Sequence, residues 1–125
     1  MARRTYTSRM HTFVRAWIHL VWTTAKRAAL IDHKVEKIVR DAIARQAERL
    51  ACPLEAFGAN DDHVHVVVQQ DKATSLVVLV RALKGASARA VGVHEPARVF
   101  RWQEGYGAFS VSERDPSGVV AYVVE

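Results

Sequence analysis

Cysteine is almost absent from this chain of 125 residues, in which Cys52 is the single thiol. One thiol can form neither an intramolecular disulfide nor a cysteine-based zinc site within one chain. Long apolar runs are missing too, because no stretch reaches the ~18 to 20 residues that a membrane-spanning helix needs. The basic start is followed by polar residues rather than by the apolar core of a signal peptide. We therefore expect a soluble, cytoplasmic protein without a membrane partner.

Acidic residues are also in short supply, with 13 Asp and Glu against 18 Lys and Arg, for a formal net charge of +5. This balance favours encounters with polyanions such as nucleic acid but does not identify one. Half of the residues are hydrophobic, enough for one compact core and too few for two ordinary ones. Without internal repeats or linkers, we predict a single domain over residues 1–125, in which residues 1–11 form a flexible N-terminus.

Hydrophobic periodicity predicts the elements of the first half of the chain. Alternating β-branched and aromatic residues predict strands, whereas apolar residues three and four positions apart predict helices. A polar residue before such a helical stretch suits its N-cap. The predicted elements are a strand over residues 13–23, a helix of about four turns from the N-cap Asp32 to Leu50, a strand over residues 54–59 and a polar turn over residues 60–62.

The second half repeats this pattern and adds a terminal helix, for which Asp115-Pro116 is a good start because proline suits the first helical position. The predicted elements are a strand over residues 63–68, a helix capped by Thr74 or Ser75, a loop near residues 92–96, a strand over residues 108–112 and a helix that includes residues 119–125. The order β-α-β-β-α-β predicts the α+β class. It is that of a ferredoxin-like split βαβ sandwich, an antiparallel four-stranded sheet with two covering helices.

Two histidines flank Val64 on the strand over residues 63–68. His63 and His65 point to the same face with Cα atoms ~6.6 Å apart, so their imidazoles can converge on one ion. A divalent metal held by two neutral imidazoles keeps positions open for oxygen ligands and acts as a Lewis acid. The spacing alone also fits two half-exposed polar residues. If the first and third strands are neighbours, His19 lies on the same side, as an accessory site residue or a structural histidine.

Three segments together resemble a known family. They are DHVHVVV at residues 62–68, LKG at residues 83–85 and RWQEGYGAFSVS at residues 101–112. Over residues 13–125 the chain resembles the single-tyrosine HUH transposases that move insertion sequences, and their REP-associated relatives. The His-x-His motif is moderately specific, whereas the aromatic and glycine-rich segment is highly specific.

The resemblance implies a transposase that cleaves and transfers single-stranded DNA through a 5′-phosphotyrosine intermediate. In the family the nucleophile is a tyrosine of the helix after the aromatic segment, and Tyr122 is the matching position. His63 and His65 would hold Mg²⁺ or Mn²⁺. The DNA partner would carry hairpin ends, and the protein would form a two-fold homodimer. The residues alone leave Tyr106 as a competing nucleophile, although its place between glycines suggests packing or DNA contact.

The resemblance also implies a third metal ligand, usually a glutamine one helical turn after the tyrosine. That position falls at 126, just after Glu125. We expect either a shortened chain or an oxygen from another group, such as Glu125 or Asp62. Residues 114–118 depart from the family's polar lead-in and include Gly118, at which the terminal helix can pivot.

Basic and aromatic side chains provide candidate DNA contacts, because cations track phosphates and aromatic rings stack on unpaired bases. Each also has an ordinary alternative as a solvated charge or a core aromatic. The candidates are Lys26, Arg27, Arg81, Lys84 and Arg89 for phosphates, and Trp102 and Tyr106 for bases.

Two other functions fit the same residues. One is a non-catalytic ferredoxin-like nucleic-acid-binding protein in which the histidines are bystanders. The other is a metal-dependent phosphoesterase in which water replaces tyrosine as the nucleophile. Neither alternative forms a covalent adduct between protein and DNA, and this difference separates them from a transposase.

Overall fold

A computed structural model describes residues 16–111 of the chain. Its elements are the strands β1 (Ala16–Thr23), β2 (Leu54–Ala59), β3 (His63–Gln70) and β4 (Gly107–Val111), the helices α1 (His33–Arg49) and α2 (Leu76–His94), and a short 3₁₀ turn at Ala25–Arg27. This order confirms the predicted β-α-β-β-α-β arrangement. The predicted terminal helix, with Tyr122 and Glu125, lies outside the described residues.

The four strands form one antiparallel sheet in the order β2-β3-β1-β4. The central strands β1 and β3 pair along their whole length, from Ala16 opposite Gln70 to Thr23 opposite His63. The strand β4 pairs with the other side of β1, and β2 with the other side of β3. This is the ferredoxin-like topology, and it confirms that the first and third strands are neighbours.

The hydrophobic core lies between one face of the sheet and the two helices. The sheet contributes alternate residues, as expected for a strand with one face turned to a core. The helices contribute residues three and four positions apart, because only one stripe of an amphipathic helix can be buried. The most deeply buried members are Leu20 and Trp22 of β1, Val64, Val66 and Val68 of β3, Val35, Val39 and Ile43 of α1, and Leu79, Leu83 and Val91 of α2.

Both helices begin at the predicted polar caps. The side chain of Asp32 accepts a hydrogen bond of 2.9 Å from the backbone N–H of Val35. At α2 the cap is Ser75 rather than Thr74, and its hydroxyl accepts from the N–H of Val78 at 3.2 Å. Such caps satisfy backbone donors that the first helical turn leaves unpaired.

The loop predicted near residues 92–96 is wrong at its start, because α2 continues through His94. Gly92 lies inside the helix, and nothing comes within 4 Å of the position that a Cβ would take there. Its helical cost, about 1 kcal/mol relative to alanine, is offset by the burial of Val91 beside it. No helix within residues 16–111 is both long and apolar enough to cross a membrane.

Candidate functional site

Three histidines lie together on the sheet face that is turned away from the core. His63 and His65 come from β3, and His19 comes from β1, where it stands opposite Val67. The ring centroids of His63 and His65 are 6.3 Å apart, and those of His19 and His65 are 6.0 Å apart. Because β1 and β3 are the two central strands, neighbouring strands hold these rings on both sides.

His65 occupies a cradle that only glycine can form. In β2, Gly58 is the register partner of His65. A Cβ on Gly58 would collide with Cε1 and Nε2 of the His65 ring, so the imidazole packs directly against the bare backbone of β2. Only 5% of His65 remains exposed. A glycine inside a strand often marks such a close approach, but the sequence did not indicate which ring approaches it.

Burial keeps the two inner histidines neutral. Desolvation, with smaller repulsive contributions from His19 and His63, lowers the pKa of His65 to about 4. Burial also lowers the pKa of His19. Both ring nitrogens of His19 and Nδ1 of His65 are buried without a hydrogen-bond partner in the described part of the chain. Neutral imidazoles with unused nitrogens are the form that binds a metal ion.

His63 is held by Asp62, its neighbour in sequence. Asp62 Oδ1 lies 2.9 Å from His63 Nδ1, and Asp62 Oδ2 accepts a bond of 3.2 Å from Arg27 Nε. The hydrogen bond from His63 is the main cause that lowers the pKa of Asp62, with Arg27 contributing as well. An ionised carboxylate only accepts hydrogen bonds, so this contact needs the proton of His63 on Nδ1, and the neutral ring with that proton has its lone pair on Nε2.

The described residues do not complete a three-ligand metal site. Within residues 16–111, no group of three or more His, Cys, Asp and Glu side chains is arranged to hold a metal ion. Both oxygens of Asp62, a candidate for the missing oxygen ligand, are already hydrogen bonded. Glu125 and Tyr122 lie outside the described residues. The imidazoles of His63 and His65 fit the nitrogen half of a divalent metal site, with the remaining positions open.

The loop after β1 joins this site to the aromatic segment. The N–H of Thr24 donates to the carbonyl of Asp62 at 2.9 Å, and the N–H of Gln103 donates to that of Thr23 at 2.9 Å. The side chain of Gln103 also contacts this loop, and its Oε1 accepts a hydrogen bond of 3.0 Å from the backbone N–H of Lys26. Lys26 and Arg27 both have a positive φ, 55° and 56°, which is uncommon outside glycine and is stabilised here by these bonds.

Four of the candidate DNA-contacting residues line one groove between α2 and the aromatic segment. The groove has a volume of about 570 Å³ and includes Arg81, Lys84, Trp102 and Tyr106. Tyr106 is 40% exposed. Lys84 crosses from α2 and donates to the carbonyls of Gln103 and Gly105 at 2.7 and 3.0 Å. Its ammonium group thus holds the aromatic segment in place.

One residue of the groove also belongs to the core, and three candidates lie outside the groove. Trp102 packs edge-on against Phe100 and Trp22, and its indole N–H donates to Ser87 Oγ at 3.0 Å. This tryptophan therefore contributes to the packing of the core, the ordinary alternative considered from sequence. Lys26 and Arg27 are exposed in the 3₁₀ turn after β1, whereas Arg89 is exposed on α2 outside the groove.

A four-stranded antiparallel sheet with two covering helices and a pair of histidines on a central strand defines an α+β domain of ferredoxin-like topology. The chain belongs to the IS200-like transposase family, whose profile matches residues 12–125. The ISDra2 transposase TnpA of Deinococcus radiodurans is 25% identical over 111 residues, which cover 84% of this chain and 79% of that protein. Membership confirms the resemblance noted in the sequence, and it makes this chain a DNA-processing transposase.

Solved structures support the same fold. A candidate transposase from Deinococcus radiodurans R1 superposes with a TM-score of 0.77 at 23% identity, covering 99% of this chain and 96% of that one. A REP-associated tyrosine transposase bound to a REP hairpin superposes with a TM-score of 0.63 at 12% identity, covering 99% and 68%. At these identities the likeness establishes the architecture.

Proposed function

We propose that this transposase cleaves and rejoins single-stranded DNA, with Tyr122 as the nucleophile and with Mg²⁺ or Mn²⁺ bound by His63 and His65. The observation that carries the proposal is the pair of imidazoles on one face of β3, where Nδ1 of His63 contacts Asp62 and burial lowers the pKa of His65 to about 4. A divalent ion held by this pair would act as a Lewis acid on a phosphate oxygen.

The chemistry of the phosphodiester defines what the protein has to supply. A phenol with a pKa near ~10 is a weak nucleophile at neutral pH, so Tyr122 must lose its proton as it attacks. Its oxygen forms a bond to phosphorus while the bond to the 3′ oxygen breaks, and that oxygen takes up a proton. The products are a 5′-phosphotyrosine and a free 3′-hydroxyl.

The same step can run backwards. A 3′-hydroxyl from another DNA end attacks the phosphotyrosine, releases Tyr122 and restores a phosphodiester without ATP, because the covalent intermediate retains the phosphoester bond. Cleavage and joining are thus one reversible exchange, which is what a transposase requires. Water in place of the second DNA end would only hydrolyse the strand.

We infer that the DNA partner is single-stranded with hairpin ends, as for the REP-associated relative that is bound to a REP hairpin. The groove lined by Arg81, Lys84 and Tyr106 combines positive charge with an exposed ring, and this combination suits unpaired nucleotides. Arg27 reaches the histidines through its bond to Asp62, and the exposed Lys26 precedes it in the same turn, so both could contact a phosphate of the bound strand. A two-fold homodimer, in which the tyrosine of one copy can serve the histidines of its partner, completes the proposal.

A covalent-adduct assay tests the function. A hairpin oligonucleotide labelled at its 3′ end is incubated with the protein and Mn²⁺, then separated on a denaturing gel. We expect a slow band that disappears in Tyr122→Phe and persists in Tyr106→Phe, because only the first variant lacks the attacking oxygen. Loss of the band in Tyr106→Phe with its retention in Tyr122→Phe would assign the nucleophile to Tyr106.

The same gel separates the alternatives. Cleaved DNA without an adduct would indicate a phosphoesterase that uses water, and uncleaved DNA that is retained on a native gel would indicate a non-catalytic binder. Mixing Tyr122→Phe with His65→Ala tests the dimer. Adduct formation in the mixture, when each variant alone forms none, requires that one copy supply the tyrosine and its partner the histidines.

A further inference from the structure

Asp62 lies between Arg27 and His63 and uses a different oxygen for each. Oδ1 is 2.9 Å from His63 Nδ1, and Oδ2 is 3.2 Å from Arg27 Nε. The side chains of His63 and Asp62 are largely buried, with 14% and 21% exposed, whereas that of Arg27 is 66% exposed. A partly buried carboxylate and imidazole are therefore joined to an exposed guanidinium.

We propose that Asp62 is the positioning residue of His63: it selects the tautomer with the proton on Nδ1 and fixes the direction of the ring, while Arg27 holds Asp62 by its second oxygen. The inference rests on the proposed metal function of the histidines. A neutral imidazole can carry its proton on either nitrogen, and only the Nδ1–H form leaves Nε2 as a ligand. A carboxylate that accepts from the second nitrogen of a metal-binding histidine supplies this selection.

The backbone around Asp62 shows that the contact is built into the fold. Its carbonyl accepts from the N–H of Thr24 at 2.9 Å, and the hydroxyl of Thr24, which donates to the carbonyl of Ala28 at 2.7 Å, lies 3.2 Å from it. Arg27 is brought back toward it by the left-handed conformations of Lys26 and Arg27 itself, and the N–H of Arg27 donates to the carbonyl of Thr24 at 3.0 Å. An exposed ion pair contributes little to stability by itself, so the arrangement is better explained by the ring that it orients.

His65 is oriented by a different means, which makes Asp62 specific to His63. Nδ1 of His65 is buried without a hydrogen-bond partner among the described residues, and packing against Gly58 fixes the ring instead. A substitution at Asp62 should therefore change one imidazole and leave the other as it is. This difference provides an internal reference for an experiment.

Nitrogen-15 NMR of the metal-free full chain tests the tautomer directly. We expect His63 to carry its proton on Nδ1 in the wild type, and to show both tautomers in Asp62→Ala, while the signals of His65 stay unchanged. The matched control is Asp61→Ala, which removes the neighbouring carboxylate; that residue's backbone carbonyl accepts from Ile31. A wild-type His63 protonated on Nε2, or an Asp62→Ala variant with the wild-type tautomer, would overturn the inference.

Calorimetric titration with Mn²⁺ tests the consequence for the metal. Asp62→Ala should weaken binding by roughly 10- to 100-fold, the usual effect of losing such a partner. Asp62→Asn should lose less, because the amide oxygen still accepts from Nδ1, and Arg27→Gln should shift affinity in the same direction. Equal affinity in the wild type and Asp62→Ala would overturn the inference. If the wild type fails to bind Mn²⁺, the proposed metal function fails, and the NMR result decides the role of Asp62 alone.

Discussion

Replacing Gly58 with alanine should displace the ring of His65. The added methyl would overlap Cε1 and Nε2 of the imidazole, and His65 has little free space because only 5% of it is exposed. The backbone is no obstacle, since Gly58 is not among the residues with positive φ in the described part of the chain. The cost is therefore one of space, and overpacking by a single methyl in a filled core costs about 1–3 kcal/mol.

Thermal and urea unfolding measure this cost. On the order of 4 °C of melting temperature is lost per kcal/mol for a domain of this size, so Gly58→Ala should melt roughly 4–12 °C below the wild type. The matched control is Gly92→Ala, because nothing lies within 4 Å of the new methyl on α2. That variant should be stabilised, by up to about 1 kcal/mol, through better helix propensity.

A double-mutant cycle shows whether His65 is the group that is displaced. In a His65→Ala background the methyl at position 58 meets no ring, so Gly58→Ala should cost little. The coupling energy between the two sites should then be about 1–3 kcal/mol. An equal cost in both backgrounds would mean that the strain lies in the backbone of β2, and a wild-type melting temperature for Gly58→Ala would refute the cradle.

The remaining predictions concern pH and the bonds that Lys84 of α2 donates to the aromatic segment. Burial lowers the pKa of His65 to about 4 in the folded protein, so the unfolded chain binds this proton more readily. The free energy of unfolding should therefore be highest above pH ~6.5, the ordinary pKa of histidine. It should fall as the pH drops toward 4, by at most about 3 kcal/mol. Urea midpoints of the metal-free protein check this, and an equally steep decline in His65→Ala would contradict it. Lys84→Met should cost about 1–2 kcal/mol, because two carbonyls lose a charged donor. Arg81→Met is the control on the same groove. Equal unfolding midpoints for the two variants would show that the bonds of Lys84 contribute nothing to stability.

The order of elements was predictable because burial imposes periodicity on the chain. Valines at alternate positions of β3 indicated a strand with one core face, and Asp32 marked the first turn of α1. The position of His19 beside the pair followed from the topology alone. The end of α2 was not predictable in this way, because tertiary packing of Val91 extends the helix past a glycine that sequence rules treat as a break.

The orientation of the histidine rings was beyond the sequence. The sequence around Asp62 does not indicate whether its carboxylate binds a cation or accepts a hydrogen bond from His63. That choice depends on side-chain torsions and on Arg27. Gly58 shows only that something approaches β2. The packing of Trp102 on Phe100 and Trp22 likewise depends on a distant strand.

The bonds of Thr24 bear on where the protein tolerates changes in length. Thr24 contacts the turn at Asp62 through its N–H and forms a β-bridge with Trp102, so segments far apart in sequence meet at one residue. An insertion in any of these segments would break the contacts of Thr24 with Asp62 or with Trp102. Additional residues should instead be accommodated at positions 72–73, where both residues are exposed in a turn between β3 and α2. That turn is the natural place to graft a peptide tag or a fluorescent label without disturbing the histidines.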